Sequence, residues 1–155
     1  MGFYARVERR RRKVLKAPRS RRRSIVKVGF PAGASKSAVI MRAIWNEFGT
    51  KGGRSGGGWG GPIPERPFFR NAMRNNRDKY RAAMKAAARQ ILADEVTMGS
   101  VLRRLGVMAQ GDVQASITSL MSPPNSPVTV ALKGSAKPLI DTGEMAQAVT
   151  YKVEE

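Results

Sequence analysis

Between residues 24 and 30 the sequence SIVKVGF sets Ile25, Val26 and Val28 among charged neighbours, which predicts a short β-strand ended by the turn-forming stretch GFPAGAS. The pattern then changes period. In SAVIMRAIWNEFG, Ile40, Ile44, Trp45 and Phe48 recur at helical spacing, with Ser35 or Ser37 as N-cap and Gly49 as the stop. A long Ala-rich helical pattern follows, FFRNAMRNNRDKYRAAMKAAARQILADEV. Pro67 suits its first turn, and Phe69, Met73, Tyr80, Met84, Ala87, Ile91 and Leu92 run along one stripe. A further helical pattern covers residues 100–119 through Val101, Leu105, Met108, Val113 and Ile117, continuing to Leu120. Gly99, Gly106 and Gly111 weaken it and predict a kink or two shorter helices. The methionines at these positions read as core filler.

The stretch SPPNSPVTVALKG reads as a connector stiffened by Pro123, Pro124 and Pro127. Asp141 and Thr142 are placed to cap a short helical turn, and Gly143 tolerates unusual dihedrals. At the end of the chain Val149, Tyr151 and Val153 alternate with Thr150, Lys152 and Glu154, the mark of a half-buried strand. Its simplest partner is the strand at 25–30, paired antiparallel. The expected fold is α+β: a small antiparallel sheet of N- and C-terminal strands packed against two or three helices. One domain is expected over residues 24–155, preceded by an arm at 1–23. No internal repeat of solenoid length is present.

Two segments stand outside this alternation. Seven of the ten residues at 52–61 are glycine, which predicts a mobile loop over 51–61 carrying Trp59, able to order against a neighbouring subunit. The loop lacks the GKS or GKT ending of a phosphate cradle, and no apolar strand leads into it. The arm contains RRRRK at 9–13 and RSRRRS at 19–24, within a chain of 29 Lys and Arg against 11 Asp and Glu, net charge +18. Blocks of like charge stay extended until an anion meets them. Arg9, Arg10, Arg11, Arg12, Lys13, Arg19, Arg21, Arg22 and Arg23 are therefore candidates for contact with nucleic acid or an acidic protein surface.

Reactive chemistry is scarce. The chain has no His and no Cys, which removes the commonest general base, the commonest metal ligands and disulfides, and suits assembly in a cytosolic environment. Asp78, Asp94, Glu95 and Asp112 fall on helical patterns without a His or Cys partner. A carboxylate pair from Glu47 and Asp141 is the one conceivable acid–base or Mg²⁺ site, but carboxylates near Arg66 or Arg70 read as structural ion pairs. No catalytic residue, metal or cofactor is expected, and no apolar run approaches the roughly 20 residues that span a bilayer.

Three ordered motifs carry a family resemblance. They are Glu47-Phe48-Gly49, then Ile63-Pro64 with Arg66-Pro67-Phe68, then Lys133-Gly134 leading to Pro138-Leu139-Ile140-Asp141-Thr142-Gly143 and Met145. Over residues 24–153 the chain resembles the small neck and tail-completion proteins of tailed bacteriophages, often labelled virion morphogenesis or minor tail proteins. The Arg-rich first 23 residues and the very glycine-rich loop depart from that pattern. The resemblance implies an α+β subunit of a homo-oligomeric ring, six copies favoured and twelve the alternative, at the head–tail junction of the virion. Such a ring assembles in the host cytoplasm, contacts adjoining neck, portal-side and tail-tube proteins, and lets genome DNA pass without sequence preference. Trp59, Pro64, Arg66, Pro67, Phe68, Asp141, Thr142 and Gly143 are then the candidate subunit contacts. The alternative is a small basic RNA- or DNA-binding protein, such as a ribosome-associated factor, with the arm as its main contact. Its weakness is the lack of aromatic stacking positions.

Overall fold

The computed structural model describes residues 24–52, 61–93 and 95–154. Two strands, β1 (Ile25–Gly29) and β2 (Thr150–Glu154), form an antiparallel sheet in which Val26 faces Val153 and Val28 faces Tyr151. Among the described residues six helices lie between them: α1 (Ser37–Phe48), α2 (Phe68–Asn75), α3 (Arg77–Leu92), α4 (Met98–Ser119), α5 (Pro127–Lys133) and α6 (Glu144–Gln147). The fold is α+β, with the terminal strands paired as the alternation of Val and Tyr residues predicts. No helix among the described residues is long and apolar enough to cross a membrane.

Helix α4 is the spine. It packs against both strands and against α2, α3 and α6. Its C-terminal half sends Val113 and Ile117 into a core with Val39, Ala43, Phe68, Ala72, Leu139, Met145 and Val149. Its N-terminal half sends Val101, Leu102 and Leu105 into a smaller cluster with Ala87 of α3, flanked by Val26 and Val153 of the sheet. Full burial of a Val, Ile or Phe side chain contributes roughly 1.5–3 kcal/mol, and Phe68, Ile117, Val39, Val113 and Val149 are all in that state. Between α3 and α4 the Tyr80 hydroxyl donates to Asp112 at 2.8 Å and Lys79 pairs with the same carboxylate at 2.6 Å. Burial first, then the bond to Asp112, hold the Tyr80 hydroxyl well above its ordinary pKa.

Several expectations change here. α4 is one unbroken helix. Gly106 marks a close approach within it: a Cβ there would stand 2.2 Å from Cδ2 of Tyr151, so only glycine lets β2 lie against the helix. The long Ala-rich pattern divides at Asn76 (φ −100°, ψ 8°), whose side-chain amide donates back to the Ala72 carbonyl at 2.9 Å and competes with the helical ladder. Pro67 is the residue before α2 rather than part of its first turn. On α1 neither Ser35 nor Ser37 caps. Lys36 holds that position without a side-chain bond, and the Ser35 hydroxyl donates to the Ala148 carbonyl instead.

The stripe on α1 is also inverted. The packed face is Val39, Ala43 and Glu47, while Ile40 and Trp45 are half-buried and Ile44 and Phe48 are 44% and 64% exposed. Finally, the Pro-rich connector contains α5. Ser126 caps it by accepting from Thr129 N–H, Pro127 opens it, and Gly134 closes it with left-handed backbone (φ 65°).

Candidate functional site

Glu47 organises the first joint. Its carboxylate is buried, and it accepts from the backbone N–H of Phe69 at 2.8 Å and of Arg70 at 3.0 Å. These are two of the donors that the start of α2 leaves free, so a side chain 22 residues away serves as the cap that Pro67 does not supply. Arg70 closes the arrangement. Its Nε donates to Glu47 at 2.9 Å, its Nη2 to the Glu47 carbonyl at 2.7 Å and also to Glu65, and its guanidinium lies 5.1 Å from the centre of the Phe48 ring. Those carboxylates raise the Arg70 pKa.

Gly49 follows at φ +70°, where a Cβ would meet the Glu65 nitrogen and Ile63 carbonyl at 3.0 Å. The Thr50 N–H donates to the Ile63 carbonyl at 2.9 Å, and the Ile63 N–H donates to the Thr50 hydroxyl at 3.2 Å. The two ends of the glycine-rich segment are thus clipped together at its base. Three residues after Ile63, Arg66 is 4% exposed and fully engaged. Its Nε donates to the Pro123 carbonyl at 2.8 Å, Nη1 to Asn46 Oδ1 at 3.0 Å, and Nη2 to the Pro124 carbonyl at 2.9 Å and Asn125 Oδ1 at 3.1 Å. All four acceptors are neutral, and burial lowers the Arg66 pKa from its ordinary value. Its role is to tie α1, the chain before α2 and the proline segment before α5 into one piece.

The second joint meets the first. A cavity of about 390 Å³ is lined by Ile63, Pro64 and Arg66 on one side and by Leu139, Asp141 and Thr142 on the other. Arg42 and Asn46 of α1 and Ser126, Thr129 and Lys133 of α5 complete its walls. A short helical turn does start at its rim, but Gly143, with left-handed backbone (φ 78°), holds the N-cap without a side-chain cap bond, where the sequence predicts Asp141 and Thr142; the Thr142 hydroxyl accepts from Glu144 N–H at 3.4 Å. Glu144 accepts from Lys36 at 2.9 Å and Arg42 at 2.6 Å, and those bonds pull its carboxyl below the ordinary carboxylate value. Lys133 donates to the Lys137 and Pro138 carbonyls. Desolvation lowers its pKa, partly opposed by Asp141.

The candidate contacts therefore fall into three groups. Pro64, Asp141 and Thr142 are exposed, with Gly143 and Pro67 half-buried. Phe68 (1% exposed) and Arg66 are spent inside the chain, Phe68 in the core with Phe30 at its edge. Trp59 and the arm residues Arg9, Arg10, Arg11, Arg12, Lys13, Arg19, Arg21, Arg22 and Arg23 lie outside the described residues, as does Asp94. The conceived Glu47–Asp141 pair does not share a site: Asp141 lines the cavity and Glu47 does not. Sequence reasoning missed the capping role of Glu47 and the existence of α5.

Two apolar faces beside the cavity are exposed among the described residues. Met41, Ile44 and Phe48 form one on α1, at 43%, 44% and 64% exposure, and Val128 and Leu132 form another on α5, at 69% and 84%. By helical spacing each lies away from the positions that line the cavity, Arg42 and Asn46 on α1 and Thr129 and Lys133 on α5. No family model, curated protein or solved structure matches the chain.

Proposed function

We propose that the chain is a structural subunit of the head–tail joining region of a tailed bacteriophage, forming a ring through which genome DNA passes and on which adjoining neck and tail-tube proteins seat. The observation that carries this reading is the pair of exposed apolar faces on α1 and α5, flanking a cavity braced from within the chain. Monomers rarely leave such faces open without a use for them. Two unlike faces on one subunit are what a head-to-tail ring requires, since each copy presents one face to each neighbour. The three motifs that carry the resemblance to neck proteins all converge on this brace, and the bonds of Glu47 and Arg66 keep it from deforming when a neighbour docks. In this reading the α1 face of one copy receives the α5 face of the next.

Negative-stain electron microscopy and light scattering test it. The wild-type chain should give closed rings. Met41→Glu and Leu132→Glu should each give monomers. An equimolar mixture of the two variants should give a dimer and nothing larger, because one intact face survives on each. A wild-type chain that stays monomeric at high concentration, or a mixture that rebuilds rings, would count against the reading.

A further inference from the structure

The face of α3 that points away from α4 carries a line of cations that the arm does not account for. Tyr80, Ala83, Ala87 and Ile91 make the packed side, with Tyr80 tied to Asp112 and the others in the cluster around Leu105. Arg77, Arg81, Lys85 and Arg89 then recur at every fourth position along the solvent side, and all four are exposed. At 1.5 Å per residue they span about 18 Å in steps of about 6 Å. Among the described residues only Arg81 has a carboxylate within reach, Asp78 at a loose 3.4 Å. The carboxylates elsewhere in the fold are largely committed to cations: Glu47 and Glu65 to Arg70, Asp112 to Lys79, Glu144 to Lys36 and Arg42, Glu154 to Lys27.

We infer that this face of α3 is a contact surface for the phosphate backbone of a nucleic-acid duplex, a second polyanion site besides the basic arm. The residues between the cations decide the class of partner. Ala82, Ala86 and Ala88 keep much of the face low enough for a broad, rigid polyanion to approach, with Asp78, Met84 and Leu92 the larger exposed side chains beside them. An interface for an acidic protein would call for a contiguous apolar or aromatic centre among its charges; the apolar residues exposed here, Met84 and Leu92, are aliphatic and stand more than two helical turns apart. The lack of aromatics equally removes a stacking platform for single strands. What is left suits sequence-independent neutralisation of closely spaced phosphates. This inference rests on the charge arrangement of one helix, so it stands or falls separately from ring formation.

The test uses the full chain. Arg77, Lys85 and Arg89 are changed together to Gln, which keeps helix propensity, and a control changes Lys51, Lys137 and Lys152 to Gln for the same loss of charge. Circular dichroism and thermal melting confirm that both fold. Binding to a short random-sequence DNA duplex is followed by fluorescence anisotropy across a salt series. The α3 variant should flatten the slope of log K against log salt by about two to three, given about 0.9 per phosphate contact. The control should leave it near the wild-type value. A slope unchanged in the α3 variant, or an equal change in both, overturns the inference. So does a poly-glutamate peptide of matched charge that binds as tightly as the duplex and loses as much in the α3 variant, since that result assigns the face to an acidic protein.

Discussion

Glu47 is the residue on which the first joint depends. Its carboxylate occupies two backbone donors and one guanidinium, and truncating it leaves those donors buried without partners. Glu47→Ala should lower unfolding free energy by about 3 kcal/mol or more, Glu47→Gln by about 1–2, in urea titrations at constant m. Glu65 is half-exposed in its pair with the same Arg70, and Glu65→Gln should move stability by less than about 1 kcal/mol. The second joint is sensitive to acid. The folded Glu144 carboxyl titrates below its ordinary value of 4.5 because Lys36 and Arg42 bond to it. Its tie between α1 and α6 is therefore complete above the unfolded value and disappears as pH drops through the lower folded one. Thermal melts between pH 6 and pH 3 should show a smaller acid loss for Glu144→Gln than for the wild type. The ion pairing of Glu47 and Glu65 with Arg70 was legible in the sequence. The capping by Glu47 was not, because the backbone donors it serves lie beyond the glycine-rich segment.

At the scale of elements, the two interior glycines of α4 make a matched experiment. A methyl group at Gly106 meets the Tyr151 ring at 2.2 Å, whereas at Gly111 it meets nothing within 4 Å. Gly111→Ala should raise the melting temperature, by up to about 1 kcal/mol of helix propensity. Gly106→Ala should lower it despite the same propensity gain, since overpacking of this kind typically costs 1–3 kcal/mol. The sequence treats both glycines alike, as weak points, because it does not contain the strand that lies on one of them. Strands β1 and β2 were readable for the opposite reason: β2 alternates strictly, and in β1 the apolar residues are β-branched and bounded by charge and by a turn-forming stretch. α1 misled because apolar residues occupy two of its faces, and the one that packs is built from small Val39 and Ala43 around a carboxylate. Helix α5 carried its own signals, Ser126-Pro127 at one end and Lys133-Gly134 at the other, hidden by the density of prolines before it.

For the whole molecule the governing quantity is the charge of +18. Like charges across a small body repel, and an anion that binds only the folded chain stabilises it in proportion to its excess over Kd. Differential scanning fluorimetry at low salt should show the melting temperature rising with added DNA duplex, with the rise fading as salt approaches about 0.5 M, where screening shortens to a few ångströms. A duplex-induced rise that persists unchanged at that salt would contradict an electrostatic origin.

The register of the sheet has one more implication. Ile25 sits opposite Glu154, so the start of β1 and the end of β2 are neighbours at the same end of the sheet. A fluorophore attached at the end of β2 is thereby a proximity reporter for whatever comes close to the start of β1. A bulky affinity tag in the same place would crowd it, which makes an untagged or internally labelled preparation the sounder choice for binding work.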